Sequence, residues 1–232
     1  MMKSTAEYDE VVVFGTRGNA LLMLNEAELL WQGRVRVVAM VDELSNGHLH
    51  PVLGVPVLSR DERLKLYPDV PVLIMAGGIP LRKRIFHDLV AEGATIGNIS
   101  TLGMEGVDKG TIFSHGTICG PRTRIGPNTR FGIGTLIEAT LVGHDVTVGD
   151  FAVLSAECLV LSHIDIGAEV NIAPGAVIMN GTPQRPIRIG EGAVIGVGAV
   201  VLRDVPAGAK MIGNPAMPIR KWLKLQKMLD EM

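Results

Sequence analysis

The sequence predicts a chain of two parts: an N-terminal Rossmann-like α/β domain of βαβ units, and a parallel β-solenoid that ends in a helix. Residues 11 to about 100 alternate strand-like apolar runs with amphipathic stretches, which is typical of parallel βαβ units. From residue 142 onward, aliphatic residues recur at every sixth position, a period that indicates a solenoid. The last fourteen residues place apolar side chains at helical spacing. We therefore expect domains at 1–102, 111–218 and 219–232, with a glycine-containing linker at 103–110.

Composition and charge narrow the classes of function. Of the 232 residues, 47% are hydrophobic but only 4% are aromatic, and 28 are glycine, which predicts a core of small aliphatic side chains. The net charge of −2 and the pI near 6.3 offer no electrostatic basis for binding nucleic acid or an anionic membrane. The N-terminal residues lack a signal-peptide pattern and no apolar run reaches about 18 residues, so we expect a cytoplasmic protein without membrane insertion. Cys119 and Cys158 are too few for a disulfide framework, and we expect reduced thiols.

The N-terminal domain is predicted to contain three strands separated by helices. Strands are expected at 11–14, 35–42 and 70–75, and helices at about 19–32, 60–67 and 80–92. Gly93 suits the C-terminal cap of the third helix, because glycine adopts the left-handed conformation without strain. Residues 51–57 could form a short excursion before the second helix.

A glycine-containing turn follows the first strand and opens the first helix. Its sequence, residues 15–19 (GTRGN), could cradle a phosphate at the helix N-terminus, although it is not the full G-x-G-x-x-G fingerprint. Asp42 ends the second strand, where an acidic residue binds a ribose hydroxyl in dinucleotide folds. Two interpretations stay open, a nucleotide site or a tight connection that needs glycine and nothing more. Nicotinamide binding is a weaker variant of the first.

The second half of the chain repeats with a period of six residues. One step of eleven residues interrupts the spacing of its apolar positions, which are Val142, Val148, Leu154, Val160, Ile166, Ile172, Ile178, Ile189, Ile195 and Val201. Another apolar residue stands four positions after nearly every one, and the residue directly after each is usually small. The pattern predicts a β-solenoid whose faces are one hexapeptide long. Small residues suit its tight corners, because bulky side chains there would prevent neighbouring coils from stacking.

One histidine stands out within this repeat. His144 lies two residues after an apolar repeat position, so alternation directs it outward, and Asp145 follows it. An imidazole accepts a proton near neutral pH, and a carboxylate can orient it and raise its basicity. If three hexapeptides form one coil, His144 stacks on Ser162 and Asn180, while Asp145 stacks on His163. This predicts a polar column that could bind an acceptor, although turn columns are often polar without a function.

The repeat and its closing motifs resemble those of the left-handed β-helix (hexapeptide-repeat) acyltransferases. The motifs are residues 198–206 (GAVVLRDVP) and 213–216 (GNPA). With the N-terminal domain, residues 10–220 resemble the sugar O-/N-acyltransferases typified by bacillosamine-pathway and sialic-acid acetyltransferases. The resemblance implies a left-handed helix, a homotrimer, and acetyl-CoA as co-substrate in the groove between neighbouring chains. It also implies that His144 is the general base on an amine or hydroxyl, with Asp145 as its partner.

The same resemblance implies the binding residues. The N-terminal residues that would hold the nucleotide of a nucleotide-linked sugar are Arg17, Gly18, Asn19, Asp42 and Gly77. The residues that would contact acetyl-CoA are Val153, Pro174, Gly196 and Val197. We expect no metal. Related β-helix carbonic anhydrases need three histidines, two of them closely spaced on one coil. Here His144 and His163 are nineteen residues apart in the sequence, and His115 lies in the irregular start of the solenoid.

Several positions depart from the family pattern. A second histidine is common nine residues after the base, where this chain has Val153, and an asparagine is common in the preceding coil, at the position of Ile137. The nucleotide turn usually carries histidine where this chain has Asn19, and Val197 replaces a small glycine beside CoA. These departures leave open N- or O-acylation, the acyl length, and a second class of function, a non-catalytic binding or scaffold protein.

Two further segments carry expectations. The eleven-residue step leaves five extra residues within 179–189 (MNGTPQRPIRI), a loop that could be inert or could bring Arg185 or Arg188 to a phosphate. In the C-terminal helix, Trp222, Leu225 and Leu229 lie on one face. We expect that face to pack on the end of the solenoid or on a neighbouring subunit.

Overall fold

The computed structural model describes residues 8–99, 106–120 and 122–231, so part of the expected linker at 103–110 lies outside it. The chain forms two compact units, one of residues 1–104 and 114–121 and the other of residues 105–113 and 122–232. In chain order the elements are β1 (Glu10–Phe14), α1 (Asn19–Trp31), β2 (Arg36–Val41), β3 (His48–Leu49), β4 (Pro56–Leu58), α2 (Arg60–Leu66), β5 (Val72–Ile74), α3 (Ile79–Ala91), β6 (Ile112–Phe113), β7 (Ile118–Cys119), β8 (Arg124–Ile125), β9 (Arg130–Phe131), β10 (Leu136–Ile137), β11 (Leu141–Val142), β12 (Val146–Val148), β13 (Val153–Leu154), β14 (Leu159–Val160), β15 (Ile164–Ile166), β16 (Asn171–Ile172), β17 (Val177–Ile178), β18 (Ile187–Ile189), β19 (Val194–Ile195), β20 (Val200–Val201), β21 (Lys210–Ile212), β22 (Met217–Pro218) and α4 (Ile219–Asp230).

The first unit contains the α/β sheet, with strand order β3-β4-β2-β1-β5. β4, β2, β1 and β5 are parallel, and β3 pairs antiparallel with β4. The three predicted strands and three predicted helices are confirmed. Part of the excursion expected at 51–57 is instead sheet, because β4 pairs with β2 and thereby buries Val57 and Leu58.

Two fully buried arginines fix the helices of this unit. The Arg82 guanidinium on α3 donates to the carbonyl oxygens of Ala76 and Gly77, at 3.1 and 2.9 Å, and so holds the turn that follows β5. Arg63 on α2 pairs with Glu92. A buried charge needs such partners. Arg82 therefore ties α3 to the end of β5, and Arg63 ties α2 to the C-terminal end of α3.

The second unit is a β-helix whose strands form three parallel sheets. Their orders are β18-β15-β12-β9-β6, β20-β17-β14-β11-β8 and, along the third face, β21-β19-β16-β13-β10. Val142 pairs with Val160, the third repeat position after it, so one coil is three hexapeptides as predicted. Ile166 pairs with Ile189, and this longer coil places the extra residues of the interrupted step between β17 and β18.

The six-residue positions form the core of the prism. All ten apolar repeat positions from Val142 to Val201 are buried, and so are the second positions such as Val146, Cys158 and Ala193. The glycines of two corners make room for the next coil. A Cβ on Gly143 would lie 2.7 Å from the carbonyl carbon of Leu161, and one on Gly149 would lie 2.5 Å from the backbone nitrogen of Ala168.

The end of the solenoid is capped by an antiparallel pair and the last helix. β21 pairs with β22, and α4 packs against both strands, so the helix lies on the end of the solenoid as expected. Of the face predicted to pack there, only Trp222 is half-buried, near Gly213, whereas Leu225 and Leu229 are exposed. Among the described residues, none of the helices has the length and apolar character needed to cross a membrane.

Candidate active site

His144 and Asp145 occupy the corner between β11 and β12. His144 is exposed, as predicted. It points outward because it lies in the corner, not because of alternation along a strand. Asp145 has a left-handed backbone with φ of 56°, a conformation that Asp and Asn tolerate better than other non-glycine residues. Asn128 and His163 have φ of 57° at the matching corners of the coils before and after. The three residues form one column, which we name the corner column.

The Asp145 carboxylate is held from two sides. Nδ1 of His144 donates to Oδ2 at 2.6 Å, and Nδ2 of Asn128 donates to Oδ1 at 3.1 Å. These hydrogen bonds, that of His144 first, lower the pKa of Asp145 below its ordinary value, so the carboxylate is ionised at neutral pH. An ionised Asp145 keeps the proton of a neutral His144 on Nδ1 and leaves the lone pair on Nε2. The geometry therefore suits a general base.

The predicted stacking of the next coils is confirmed. Oδ1 of Asn180 accepts from the backbone N–H of Ser162 at 2.9 Å, and Nδ1 of His163 lies 3.8 Å from Oδ2 of Asp145. The His144 and His163 rings meet edge to face, with centroids 5.0 Å apart. A role of Ser162, His163 and Asn180 in acceptor binding stays a prediction.

The sequence analysis did not predict the polar partner of Asp145 in the preceding coil. Ile137, where the family often has an asparagine, lies on β10 and is fully buried in the core. A regular step of 18 residues back from Asp145 would lead to Pro127, but this coil is one residue shorter, since Leu136 pairs with Val153 rather than with Leu154. The same shortened step back from Asp145 leads to Asn128. The slips in the spacing of the early repeat were therefore the available signal.

His144, Asp145 and His163 each offer one metal-ligating atom, and these atoms lie within 4.8 Å of one another. By residue type the group could hold a divalent ion. The 2.6 Å contact between His144 and Asp145 is, however, that of a hydrogen bond with a proton on Nδ1. The arrangement works as a charge-assisted hydrogen bond without an ion.

The residues expected to contact acetyl-CoA lie mostly at another corner. Pro174, Gly196 and Val197 follow β16 and β19, and the backbone N–H of Gly198 donates to the carbonyl oxygen of Pro174 at 3.1 Å. Val153 lies on β13 and is buried. Strands β17 and β20 start from this corner, whereas β11 ends at the corner of His144. The two sets therefore flank one face of the prism and do not meet.

Candidate nucleotide-binding residues line a cleft in the first unit. The cleft has a volume of about 600 Å³ and lies at the carboxyl ends of β1, β2 and β5, with Arg17, Asp42 and Gly77 in its wall. Gly18 lines an adjoining cavity of about 300 Å³. Asn19 begins α1, and its side chain lies outside the described part of the structure. A cleft at the carboxyl ends of parallel strands is the usual ligand position in such sheets.

Asp42 organises the wall of this cleft. Burial raises the pKa of its carboxyl group, but a 2.7 Å hydrogen bond from Thr16 and two backbone N–H groups outweigh burial and hold the pKa below its ordinary value. Asp42 thus fixes the turn at 42–45 as well as facing the cleft. Buried His50 holds the backbone of Thr16 in place. Its Nε2 donates to the Thr16 carbonyl oxygen at 3.0 Å, while its Nδ1 accepts from the backbone N–H groups of Val52 and Leu53. Thr16 belongs to the turn predicted at 15–19, but its bond to Asp42 was not predicted, and neither was a role for His50.

The rim of the cleft carries an exposed ion pair, in which Arg84 of α3 donates to Glu43 at 2.6 Å. Neither residue was predicted. In the solenoid loop, Thr182 and Arg185 close a turn through reciprocal backbone hydrogen bonds at 3.0 Å. Arg188 belongs to β18 instead, with its Nε 3.9 Å from Asp165. A phosphate-binding role of either arginine stays a prediction.

Both cysteines are buried and free, as predicted. Burial raises the pKa of the Cys158 thiol to about 11, which makes it an inert core group rather than a nucleophile.

Known proteins with similar sequences and folds are acetyltransferases or their structural relatives. No model of a known protein family matches the chain. A 2,3,4,5-tetrahydropyridine-2,6-dicarboxylate N-acetyltransferase of Staphylococcus aureus is 40% identical over 86 residues, 36% of this chain and 34% of that protein. The chain spans about a third of the length of the curated relatives it matches.

Two solved structures match nearly the whole fold. WeeI from Acinetobacter baumannii is 27% identical, with a TM-score of 0.76, over 90% of this chain and 98% of that one. PerB from Caulobacter crescentus, solved in complex with CoA and GDP-perosamine, is 22% identical, with a TM-score of 0.78, over 90% and 96%. The predicted fold class, an α/β domain followed by a left-handed β-helix and a terminal helix, is thereby confirmed.

Proposed function

We propose that this chain, which belongs to the hexapeptide-repeat, left-handed β-helix acyltransferase family, transfers an acetyl group from acetyl-CoA to a nucleotide-linked sugar. The observation that carries the proposal is the exposed His144–Asp145 pair, in which the Asp145 carboxylate accepts a hydrogen bond from the Nδ1–H of His144 and leaves the lone pair of Nε2 free. Such a pair is what an acyl transfer to an amine or hydroxyl requires.

The reaction follows from this geometry. The acceptor nitrogen or oxygen attacks the thioester carbonyl, a new C–N or C–O bond forms, and the C–S bond breaks to release CoA as the thiolate. Nε2 of His144 takes the acceptor proton, and the imidazolium then returns it to the thiolate. Asp145 stabilises the imidazolium, because its ionised carboxylate stays bonded to Nδ1.

The N-terminal cleft supplies the acceptor specificity in this proposal. Its position at the carboxyl ends of parallel strands, with Asp42 and Gly77 in the wall, suits the nucleotide part of a nucleotide sugar. PerB, with the same fold, was solved with GDP-perosamine and CoA. The proposed acceptor class is therefore a nucleotide-linked sugar, and the proposed location is the cytoplasm.

We further propose a homotrimer with acetyl-CoA between neighbouring prisms. One face of the prism carries an outward apolar row that includes exposed Leu141 and Leu159, and Val197 is exposed at its edge. Exposed apolar rows on a sheet favour burial against another surface. In a trimer, the CoA residues of one chain and His144 of the next could face a shared groove, although they do not meet within one chain. Light scattering coupled to size-exclusion chromatography should give three times the mass of one chain.

His144→Ala tests the base. Ala156 and Ala168 occupy the equivalent corner position in other turns, so the substitution fits the backbone. We expect kcat to fall by about 10²- to 10⁴-fold, measured as CoA release from acetyl-CoA with a panel of UDP-, GDP- and dTDP-linked amino sugars and sugars. Circular dichroism and the oligomeric mass should stay unchanged, and turnover within tenfold of the parent protein would contradict the assignment.

A second candidate function is that of a binding or scaffold protein without catalysis. It is favoured by Val153, a buried apolar residue at a position where the family often has a histidine. Thermal shift with acetyl-CoA and the same sugars separates the two. Ligand at about 100 times Kd stabilises a protein by about 2.7 kcal/mol. Stabilisation by nucleotide sugars but not by acetyl-CoA would favour the binding protein.

A further inference from the structure

One more side chain of the corner column contacts the reactive pair. His163 lies one coil after Asp145, and its backbone N–H donates to the His144 carbonyl oxygen at 3.2 Å. Its Nδ1 lies 3.8 Å from Oδ2 of Asp145, the oxygen that accepts from His144. The side chain of His163 is 22% exposed, compared with 50% for His144. The second imidazole is therefore the more firmly packed of the two.

We propose that His163 is a positioning residue for the acyl transfer: it holds the Asp145 carboxylate and the His144 ring so that Nε2 of His144 stays directed at the acceptor. The inference rests on the proposed function. Asn128 holds the carboxylate from the coil before, and His163 stands against it from the coil after. Asp145 is thus confined between two coils of the solenoid.

The physical need for such a support is orientation. An exposed ion pair between mobile side chains contributes little by itself, and a base that is misplaced by about 1 Å can cost about 10²-fold in rate. The edge-to-face contact at 5.0 Å restricts rotation of the His144 ring. The 3.8 Å approach to Oδ2 adds a favourable interaction for the carboxylate orientation that His144 needs.

The repeat offers matched variants for a test. Positions 163 and 169 both have φ of 57°, and Glu169 lies at a different corner, between β15 and β16. His163→Ala and Glu169→Ala therefore place the same residue on the same backbone, and only the first removes a neighbour of Asp145. His163→Asn restores a polar donor at a corner where Asn128 shows that asparagine fits and can bond Asp145.

Steady-state kinetics use acetyl-CoA and the acceptor with the highest turnover in the panel above. We expect His163→Ala to lower kcat by about 10- to 100-fold, with KM for both substrates changed less than about twofold, and His163→Asn to recover part of the loss. Glu169→Ala should keep the parent kcat. A kcat for His163→Ala no lower than that of Glu169→Ala would overturn the proposal, as would the absence of any recovery in His163→Asn.

A spectroscopic readout separates this proposal from the assignment of the base. In ¹⁵N-histidine spectra of the unliganded protein, neutral His144 should carry its proton on Nδ1, and His163→Ala should mix the two tautomers. An unchanged tautomer would count against His163 as a positioning residue even if His144 is the base. His144→Ala could retain turnover while, in the parent protein, the tautomer of His144 depends on His163. In that case the assignment of His144 as the base fails, but His163 still positions the His144 ring.

Discussion

Gly126 leaves room for the backbone of His144. A Cβ at position 126 would lie 2.8 Å from the His144 nitrogen and 2.9 Å from the carbonyl carbon of Gly143. Gly132 stands in the same relation to the next corner, where a Cβ would lie 2.7 Å from the nitrogen of Asp150. The two glycines thus have the same steric role in stacking coils, but only one lies beneath the reactive histidine.

Gly126→Ala and Gly132→Ala should separate folding from catalysis. Both should destabilise the protein by roughly 1–3 kcal/mol, since the added methyl overpacks against backbone. Only Gly126→Ala should also lower kcat, by about 10-fold or more, because it shifts His144. Urea unfolding and CoA-release kinetics measure the two effects. Equal kcat values for the two variants would show that the position of His144 is not critical.

At the scale of a single strand, inward and outward positions differ sharply. Ala193, just before β19, is fully buried in the prism, whereas Val194 beside it is half-exposed on the outer face. The prism core is narrow, because strands of only two or three residues face one another across it. Small side chains at the second repeat position are therefore a packing requirement.

Ala193→Leu should destabilise the protein by roughly 1–3 kcal/mol, since three additional carbons have no space in the core. Val194→Leu adds one methylene on the outer face and should change the free energy of unfolding by less than about 0.5 kcal/mol. Chemical denaturation of both variants gives the comparison. Similar losses at 193 and 194 would mean that the core is looser than its burial indicates.

For the molecule as a whole, Cys158 links folding to pH. Burial raises the pKa of its thiol from 9.0 to about 11, so the unfolded chain loses this proton at lower pH than the folded protein does. This contribution to stability is fully present below about pH 9 and declines as the pH rises toward 11. The difference between these two pKa values corresponds to roughly 2–3 kcal/mol of unfolding free energy.

Cys158→Ala should remove this dependence. Alanine already stands at the equivalent repeat positions 152, 176, 193 and 199, so the variant should fold. Between pH 8 and 11, the parent protein should lose roughly 2 kcal/mol more unfolding free energy than Cys158→Ala. Other groups that titrate in this range are common to both proteins and cancel. If the unfolding free energies of the two proteins changed equally with pH over this range, Cys158 would not be buried as a neutral thiol.

Much of the candidate site was predictable from local patterns. Asp42, Gly77 and Arg17 follow parallel strands, whose carboxyl ends meet at one edge of the sheet, so they share a cleft. His144 and Asp145 stand at a corner in a regular repeat, so their exposure follows from its phase. Thr16 and His50 could not be found this way, because their roles depend on contacts with partners that are distant in the sequence.

The sequence by itself determined the architecture, because a six-residue alternation of buried and exposed positions is a local property that any coil of the prism satisfies. Only the tertiary structure decided which corner residues meet. A coil that is shorter than its neighbours changes every stacked pair by one position, and this slip brings Asn128 rather than Pro127 into register with Asp145. Likewise, the distances that make His163 a neighbour of both His144 and Asp145 exist only once the coils are stacked.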